Sequence, residues 1–176
     1  MNAEKRTRMQ ATERREQLVA TARRLFAQRG YEGTTIEGIA AKAGVTKPVL
    51  YRHFKGKRDL YLAVLEDHLT DLIRRLWVTL STSIDPRDRL RQSLQAYFEF
   101  ADEREDGFRM LSDARARMDP DTRARLGSAW DTLADGVART VGDLLRAAGL
   151  DPAGAPVYAR ALLGMAQAVT EWWLRS

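Results

Sequence analysis

Apolar residues recur along this chain at three- and four-residue intervals, the spacing that places them on one face of a helix. Two such stripes open it, Leu18, Ala22, Leu25 and Phe26 and then Ile36, Ile39, Ala40 and Ala43. Neither stretch alternates as a strand would. Gly30 can end the first helix in a left-handed cap, and Thr34 or Thr35 can begin the second. With Thr34 as N-cap, Glu37 falls three residues on and completes a capping box. Gly38 inside that short helix costs about 1 kcal/mol relative to alanine.

Longer stripes follow. One runs Leu65, Leu69, Leu72, Ile73, Leu76, Leu80; a second runs Leu90, Leu94, Tyr97, Phe98, Ala101. A third runs Leu126, Trp130, Leu133, Val137, Val141, Leu144, Leu145 and is closed by Gly149. The pairs Asp85-Pro86, Asp119-Pro120 and Asp151-Pro152 each offer an N-cap carboxylate followed by proline at the first helical position, where its missing N–H costs nothing. The pattern predicts an all-α chain in two parts. Residues 1–56 form a module of three short helices behind a basic arm; a long helix from about Lys57 to Leu80 leads into a helical bundle that makes up the rest of 57–176.

Within the first part, Ile36 to Gly44 reads as a two-turn helix, Gly44-Val45-Thr46 as a tight turn, and Lys47 to Phe54 as a second short helix. These are the proportions of a helix-turn-helix. Ala40 is small enough for the second helix to cross closely, Gly44 permits a positive φ, Thr46 is a sound N-cap, and Pro48 lies in the first turn.

Charge sharpens this picture. Residues 1–60 hold 14 Lys+Arg against 6 Asp+Glu, whereas residues 61–176 hold 15 against 18. All five lysines, Lys5, Lys42, Lys47, Lys55 and Lys57, fall in the basic part, as suits a module that meets a polyanion. With no cysteine there is no disulfide, thiolate nucleophile or Cys-bearing zinc site. No apolar run approaches the roughly 20 residues of a bilayer span, and "MNAEKRTRMQ" lacks the apolar centre of a signal peptide. A cytoplasmic location without membrane attachment is the expectation.

A helical wheel sorts the second short helix. Leu50 and Phe54 share the inward face, while Pro48 and Arg52 point about 160° away from Leu50, at 100° per residue. Val49 and Tyr51 flank the outer direction, with Lys47 and His53 at its edges. Such a face suits a major groove. Arg52 can bond a guanine edge bidentately, Val49 and Pro48 can touch a thymine methyl, and Tyr51 can reach a phosphate oxygen. Lys57 and Arg58 open the next helix, where positive charge opposes the macrodipole, so a bound anion is expected there.

The stretch "TTIEGIAAKAGVTKPVLYRHFKGKRDLY" resembles the DNA-binding domain of the tetracycline-repressor (TetR) family of transcriptional regulators, with likeness from about Leu18 to Leu65. The resemblance implies a helix-turn-helix domain joined by a long helix to an effector-binding and dimerisation domain, acting as a homodimer on a pseudo-palindromic double-stranded operator. It implies phosphate contacts from Thr35, Thr46, Tyr51, His53 and Lys57, and base contacts from Lys47, Pro48, Val49 and Arg52. Glu37 stands where some members place a base-reading arginine, so no base contact is carried over to it. Family members usually end with one more helix than the one closing in "EWWLRS"; pairing is therefore expected from the last two helices, chiefly Val157 to Trp173, with Leu162, Met165, Val169 and Trp172 near one face.

The bundle offers less chemistry. Trp77, Tyr97, Phe98, Phe100, Phe108, Trp130, Trp172 and Trp173 either line an effector pocket or fill a closed core; Trp77, Tyr97, Phe98, Phe108, Trp130 and Trp172 are the pocket candidates. Stripes with few charges favour a small apolar or amphipathic effector. Glu99 and Glu171 can orient a polar ligand or face solvent, and His68 reads as structural. No metal site or cofactor motif is visible, and no Ser/His/Asp set or glycine-rich phosphate loop supports an enzyme. The expected function is a one-component regulator, a repressor released by its effector. The alternative, an architectural DNA-binding protein that ignores ligands, leaves more than 100 residues of bundle without a role.

Overall fold

The computed structural model describes residues 2–82, 85–116 and 120–176, and the described residues form eight α-helices and no strand. In chain order they are α1 (Asn2–Arg29), α2 (Ile36–Lys42), α3 (Lys47–Tyr51), α4 (Lys57–Thr82), α5 (Pro86–Glu103), α6 (Glu105–Ala116), α7 (Pro120–Ala147) and α8 (Ala155–Trp173), with a 3₁₀ turn over Pro152–Gly154 before the last. Two compact units divide the chain, Met1–Asp67 and His68–Ser176. The second unit begins inside α4 at His68, eleven residues beyond the Lys57 at which the sequence pattern starts it.

In the first unit the two short stripes are buried as their spacing predicts. Leu18, Ala22, Leu25 and Phe26 of α1, Ile36, Ile39 and Ala40 of α2, and Leu50 of α3 are all shielded from water. Tyr61 packs edge-on against both Phe26 and Tyr31, which ties the first turns of α4 to the end of α1. Gly44, at φ +67°, is the residue that makes the turn between α2 and α3 possible. Its N–H donates to the Ala41 carbonyl at 3.1 Å, and the Val45 N–H donates to that of Ala40 at 3.0 Å. These paired bonds satisfy the last carbonyls of α2 and turn the chain sharply.

The start of α2 differs from the sequence expectation. Thr35, not Thr34, is the N-cap; its side chain accepts from the Gly38 N–H at 3.1 Å. Thr34 is buried, and its hydroxyl is directed to the carbonyls of Leu25 and Gly30, so it closes the end of α1 instead. Glu37 therefore falls one residue early for a capping box and pairs with Lys47 across the turn. α3 is also shorter than Lys47 to Phe54, because Arg52 and His53 form a turn, and Thr46 has extended dihedrals without a side-chain capping bond.

The second unit holds the bundle. Leu72, Leu76, Tyr97, Phe100, Phe108, Leu133, Val137 and Val141 meet in one core, joined by the alanines Ala155, Ala159 and Ala166 of α8. Alanine at these positions lets α8 lie close to its neighbours. Asp85 caps α5 by accepting from the Arg87 N–H at 2.9 Å. Asp151 accepts from Ala153 at the same distance, but it opens the 3₁₀ turn rather than α8. The third expected cap, Asp119, lies outside the described residues. His68 is buried against the ring of Phe100 and the backbone of α6 at Gly107.

Candidate functional site

The α3 surface is built by contrast between its two faces. Leu50 and Phe54 are buried and fix the helix in place, while Lys47, Pro48, Tyr51 and Arg52 are exposed together, with Val49 and His53 partly covered at the margins. Of the four sequence candidates for base contact, Lys47, Pro48 and Val49 thus lie on α3 and Arg52 caps its end. Thr35 and Thr46 are exposed at the starts of α2 and α3, beside the same turn.

Lys47 is not idle in this arrangement. Its ammonium pairs with Glu37 of α2, and that hydrogen bond holds the Glu37 carboxyl below its ordinary value. The position that lacks a base-reading arginine instead supplies a carboxylate that orients a lysine at the first position of α3. His53 lies in a positive field: burial, then the charges of Arg52, Arg15 and Arg14, hold its imidazole below the ordinary value. Arg15 itself stacks over Phe54 at 5.1 Å.

Arg14 and Arg15 are residues that sequence reasoning passed over. They belong to α1, more than thirty residues before α3 in sequence, and only the packing of α1 on Phe54 brings their charge to His53. Helical spacing gives the signal, since Arg14 and Arg15 lie one turn before the buried Leu18 and Val19.

Lys57 is also engaged. Its ammonium sits 4.3 Å from the centre of the Tyr31 ring and donates to the Glu32 carbonyl at 3.4 Å. The unfavourable charge at the start of α4 is further offset by Asp59, whose carboxylate accepts from the Lys55 N–H at 2.8 Å. A bound anion is therefore not required to explain Lys57, although the residue remains at the edge of the basic surface.

Among the described residues, the bundle holds an apolar seam and a more polar cleft. An apolar seam among α4, α5, α7 and α8, lined by Leu76, Leu80, Leu94, Tyr97, Val137 and Leu163 among others, has a volume of only about 30 Å³. That is room for a water-sized molecule. A larger cleft of about 280 Å³ is lined by Trp77, Leu80 and Ser81 of α4, Arg89 of α5, and Gly136, Arg139, Thr140, Asp143 and Arg146 of α7. Of the aromatic candidates, Tyr97 borders the seam and Trp77 the cleft, whereas Phe98, Phe108, Trp130 and Trp172 line neither. Phe108 is buried in the core against Tyr97, and Trp172 is 68% exposed.

The proposed pairing residues divide likewise. Met165, Val169 and Trp172 are exposed on α8, but Leu162 turns inward, packs on the core and lines the seam. The reason is angular: Leu162 lies closer to the buried Ala155, Ala159 and Ala166 than to the outer arc. Among the described residues no helix is long and apolar enough to cross a membrane.

Comparison with known proteins agrees with this geometry. Residues 18–64 match the model for bacterial regulatory proteins of the tetR family, and residues 83–175 match that for a tetracyclin repressor-like C-terminal domain. The chain is 34% identical over 169 residues to the HTH-type transcriptional activator FasR of Mycolicibacterium smegmatis, an alignment that covers 96% of this chain and 76% of that protein. It is 37% identical over 98 residues to the HTH-type transcriptional repressor KstR2 of the same organism, covering 56% of this chain and 48% of that one. Among solved structures, AibR in complex with isovaleryl coenzyme A and operator DNA superposes with a TM-score of 0.74 at 24% identity, over 90% of this chain and 86% of that one.

Proposed function

Because this chain belongs to the tetR family of bacterial regulatory proteins, and is therefore a DNA-binding transcriptional regulator and not an enzyme, we propose that it acts in the cytoplasm as a homodimer on a pseudo-palindromic operator and releases it when a small molecule enters the bundle. The observation that carries the reading is the exposed face of α3, with Arg52, Pro48 and Lys47 displayed over the buried Leu50 and Phe54. Base contacts fall to Lys47, Pro48, Val49 and Arg52, and phosphate contacts to Thr35, Thr46, Tyr51, His53 and Lys57. Arg52 reads a guanine through two parallel bonds, and Glu37 sets the reach of Lys47.

One short recognition helix covers only a few base pairs, so two copies related by a two-fold axis read half-sites about 34–36 Å apart, or a multiple of that. The surface for pairing is the outer face of α8, where Val157, Met165, Val169 and Trp172 stand in water at 51% exposure or more. α4 runs unbroken from Lys57 to Thr82, so one element carries a phosphate contact at its start and the seam residues Leu76 and Leu80 towards its end. A ligand that parts the seam tilts α4 and changes the spacing of the two recognition helices. The bound isovaleryl coenzyme A of AibR supports a small-molecule effector in this fold.

Occupying an operator that overlaps a promoter represses it, and that is the function assigned here. Activation is the second reading, favoured by the activator FasR, whose match spans 96% of this chain, against 56% for the repressor KstR2. Selection of bound DNA from a random pool, followed by transcription measured with and without the protein, tests the whole reading. The expected product is an inverted repeat whose linked gene rises in the absence of the protein. A fall would establish activation, and recovery of sequences without two-fold symmetry would overturn the dimeric operator.

A further inference from the structure

The 280 Å³ cleft of the bundle is lined by three guanidinium groups, Arg89, Arg139 and Arg146, and one carboxylate, Asp143. Asp143 is shared: Arg89 donates to one of its oxygens and Arg146 to the other, each at 2.7 Å. The carboxylate thus holds two arginines and leaves the third uncompensated, so the cleft carries an excess of two positive charges from its lining residues. Arg139 is steadied by the indole of Trp77, with its guanidinium carbon 5.4 Å from the ring centre, which leaves its N–H edge available. The Nε of Arg89 is buried and has no hydrogen-bond partner among the described residues, a donor whose unmet bond is costly.

The walls of this cleft explain why it stays open. A Cβ at Gly136 would stand 3.2 Å from the Trp77 ring, so glycine at that position lets the indole lie against α7 and form an apolar wall. Leu80 lines both this cleft and the apolar seam. A charged site and an apolar one therefore meet at a single side chain, and the two together match a molecule with an anionic head and an apolar body.

We infer that Arg139 and Arg146, with Arg89 behind them, bind the anionic group of a small amphiphilic ligand, a carboxylate or a phosphate, whose apolar part lies along Trp77 and Leu80 toward the seam. Guanidinium is the group suited to this task, because its planar fork meets two oxygens of either anion at once. The inference deepens the ligand-responsive reading and takes its biological meaning from it, but binding itself is measurable without DNA. Octanoate, octyl phosphate and octanol share one tail and differ in head group, so calorimetry on the full chain separates head from tail. At least one of the two anions should bind tenfold or more tightly than octanol, and the one preferred identifies the anion. In Arg139→Gln and Arg146→Gln, both at exposed positions, that advantage should fall below threefold while octanol affinity stays as in the unaltered chain. Equal binding of all three compounds, binding of none, or equal losses for anion and alcohol in the variants would overturn the site. Operator affinity followed in the same samples addresses the other reading: an anion that occupies the cleft without changing operator affinity sinks the effector mechanism and leaves the anion site standing.

Discussion

Arg52, Lys57, His53 and Glu37 are all charged or titratable residues of the first unit, yet each has a different setting. Arg52 is exposed and opposite Leu50, so Arg52→Ala is expected to weaken operator binding by about 1–3 kcal/mol and to relax preference at one base pair per half-site. Unchanged preference in a selection experiment would exclude direct readout. Lys57→Ala should weaken all sequences about equally and lower the salt dependence by about one counterion per subunit. Because Lys57 also rests on Tyr31, the same change should cost some stability, which a thermal melt without DNA reports separately. His53 supplies a pH dependence whose sign follows from its depressed value in the free protein. A phosphate beside it favours the protonated form, so binding takes up a proton, and affinity rises as pH falls through the DNA-bound value and levels off below the free-protein value. The free fold behaves oppositely. Its neutral imidazole contributes stability above the ordinary histidine range and loses it as pH falls through that range. Anisotropy titrations between pH 7.5 and 6 should show tighter binding at the lower pH, and His53→Gln should flatten that slope.

At the scale of elements, helical spacing made the fold legible because each stripe is a local property, and Leu18 to Phe26, Ile36 to Ala40 and Leu69 to Leu80 are buried where their periods put them. Caps were legible only to within a residue, since the hydroxyls of Thr34 and Thr35 are equally good acceptors for the first N–H groups of a helix and only the packing of Thr34 under α1 decides between them. The arginine cleft was not legible at all. Arg89 and Asp143 are 54 residues apart, and no local pattern distinguishes them from the other surface charges of α5 and α7. A similar long-range fit joins α4 to α6, where a Cβ at Gly107 would come within 1.8 Å of the His68 ring. Nothing in the sequence marks Gly107 as special, because its demand comes from a side chain on another helix. Gly107→Ala is therefore expected to destabilise the bundle by about 1–3 kcal/mol through overpacking. His68→Ala in the same chain should recover part of that loss. Additive costs in denaturant melts of the two single variants and the double would show that the imidazole and α6 do not meet as described.

The molecule as a whole presents a face that its own fold does not cover. On α8 the inner arc is filled by Ala155, Ala159, Ala166 and Thr170, while Val157, Met165, Val169 and Trp172 are 71%, 56%, 51% and 68% exposed. At 100° per residue the outer arc spanned by these four also contains Tyr158, Ala161 and Ala168 and no charged side chain, whereas the surfaces of α5 and α7 carry several ion pairs. An uncharged, small-and-large patterned helix face is what a self-complementary two-fold contact needs, because each bulky residue meets a small one on the partner. The recognition helix makes the same demand from the other end of the chain, since α3 spans five residues and cannot specify an operator alone. Val169 lies near the edge of the inner arc and Met165 near the middle of the outer one, so Met165→Glu introduces one buried like-charge pair across a two-fold axis without touching the monomer core. Sedimentation of the unaltered chain at micromolar concentration should give a dimer, and Met165→Glu should shift it to monomer with unchanged helicity. The variant should then lose at least tenfold in affinity for a full inverted repeat while binding an isolated half-site as the unaltered chain does. Equal losses on both DNAs would mean that the substitution had damaged the fold, and Met165→Gln, which adds no charge, separates that outcome from a true interface. A dimer that persists in Met165→Glu would place the two-fold contact on a surface other than α8.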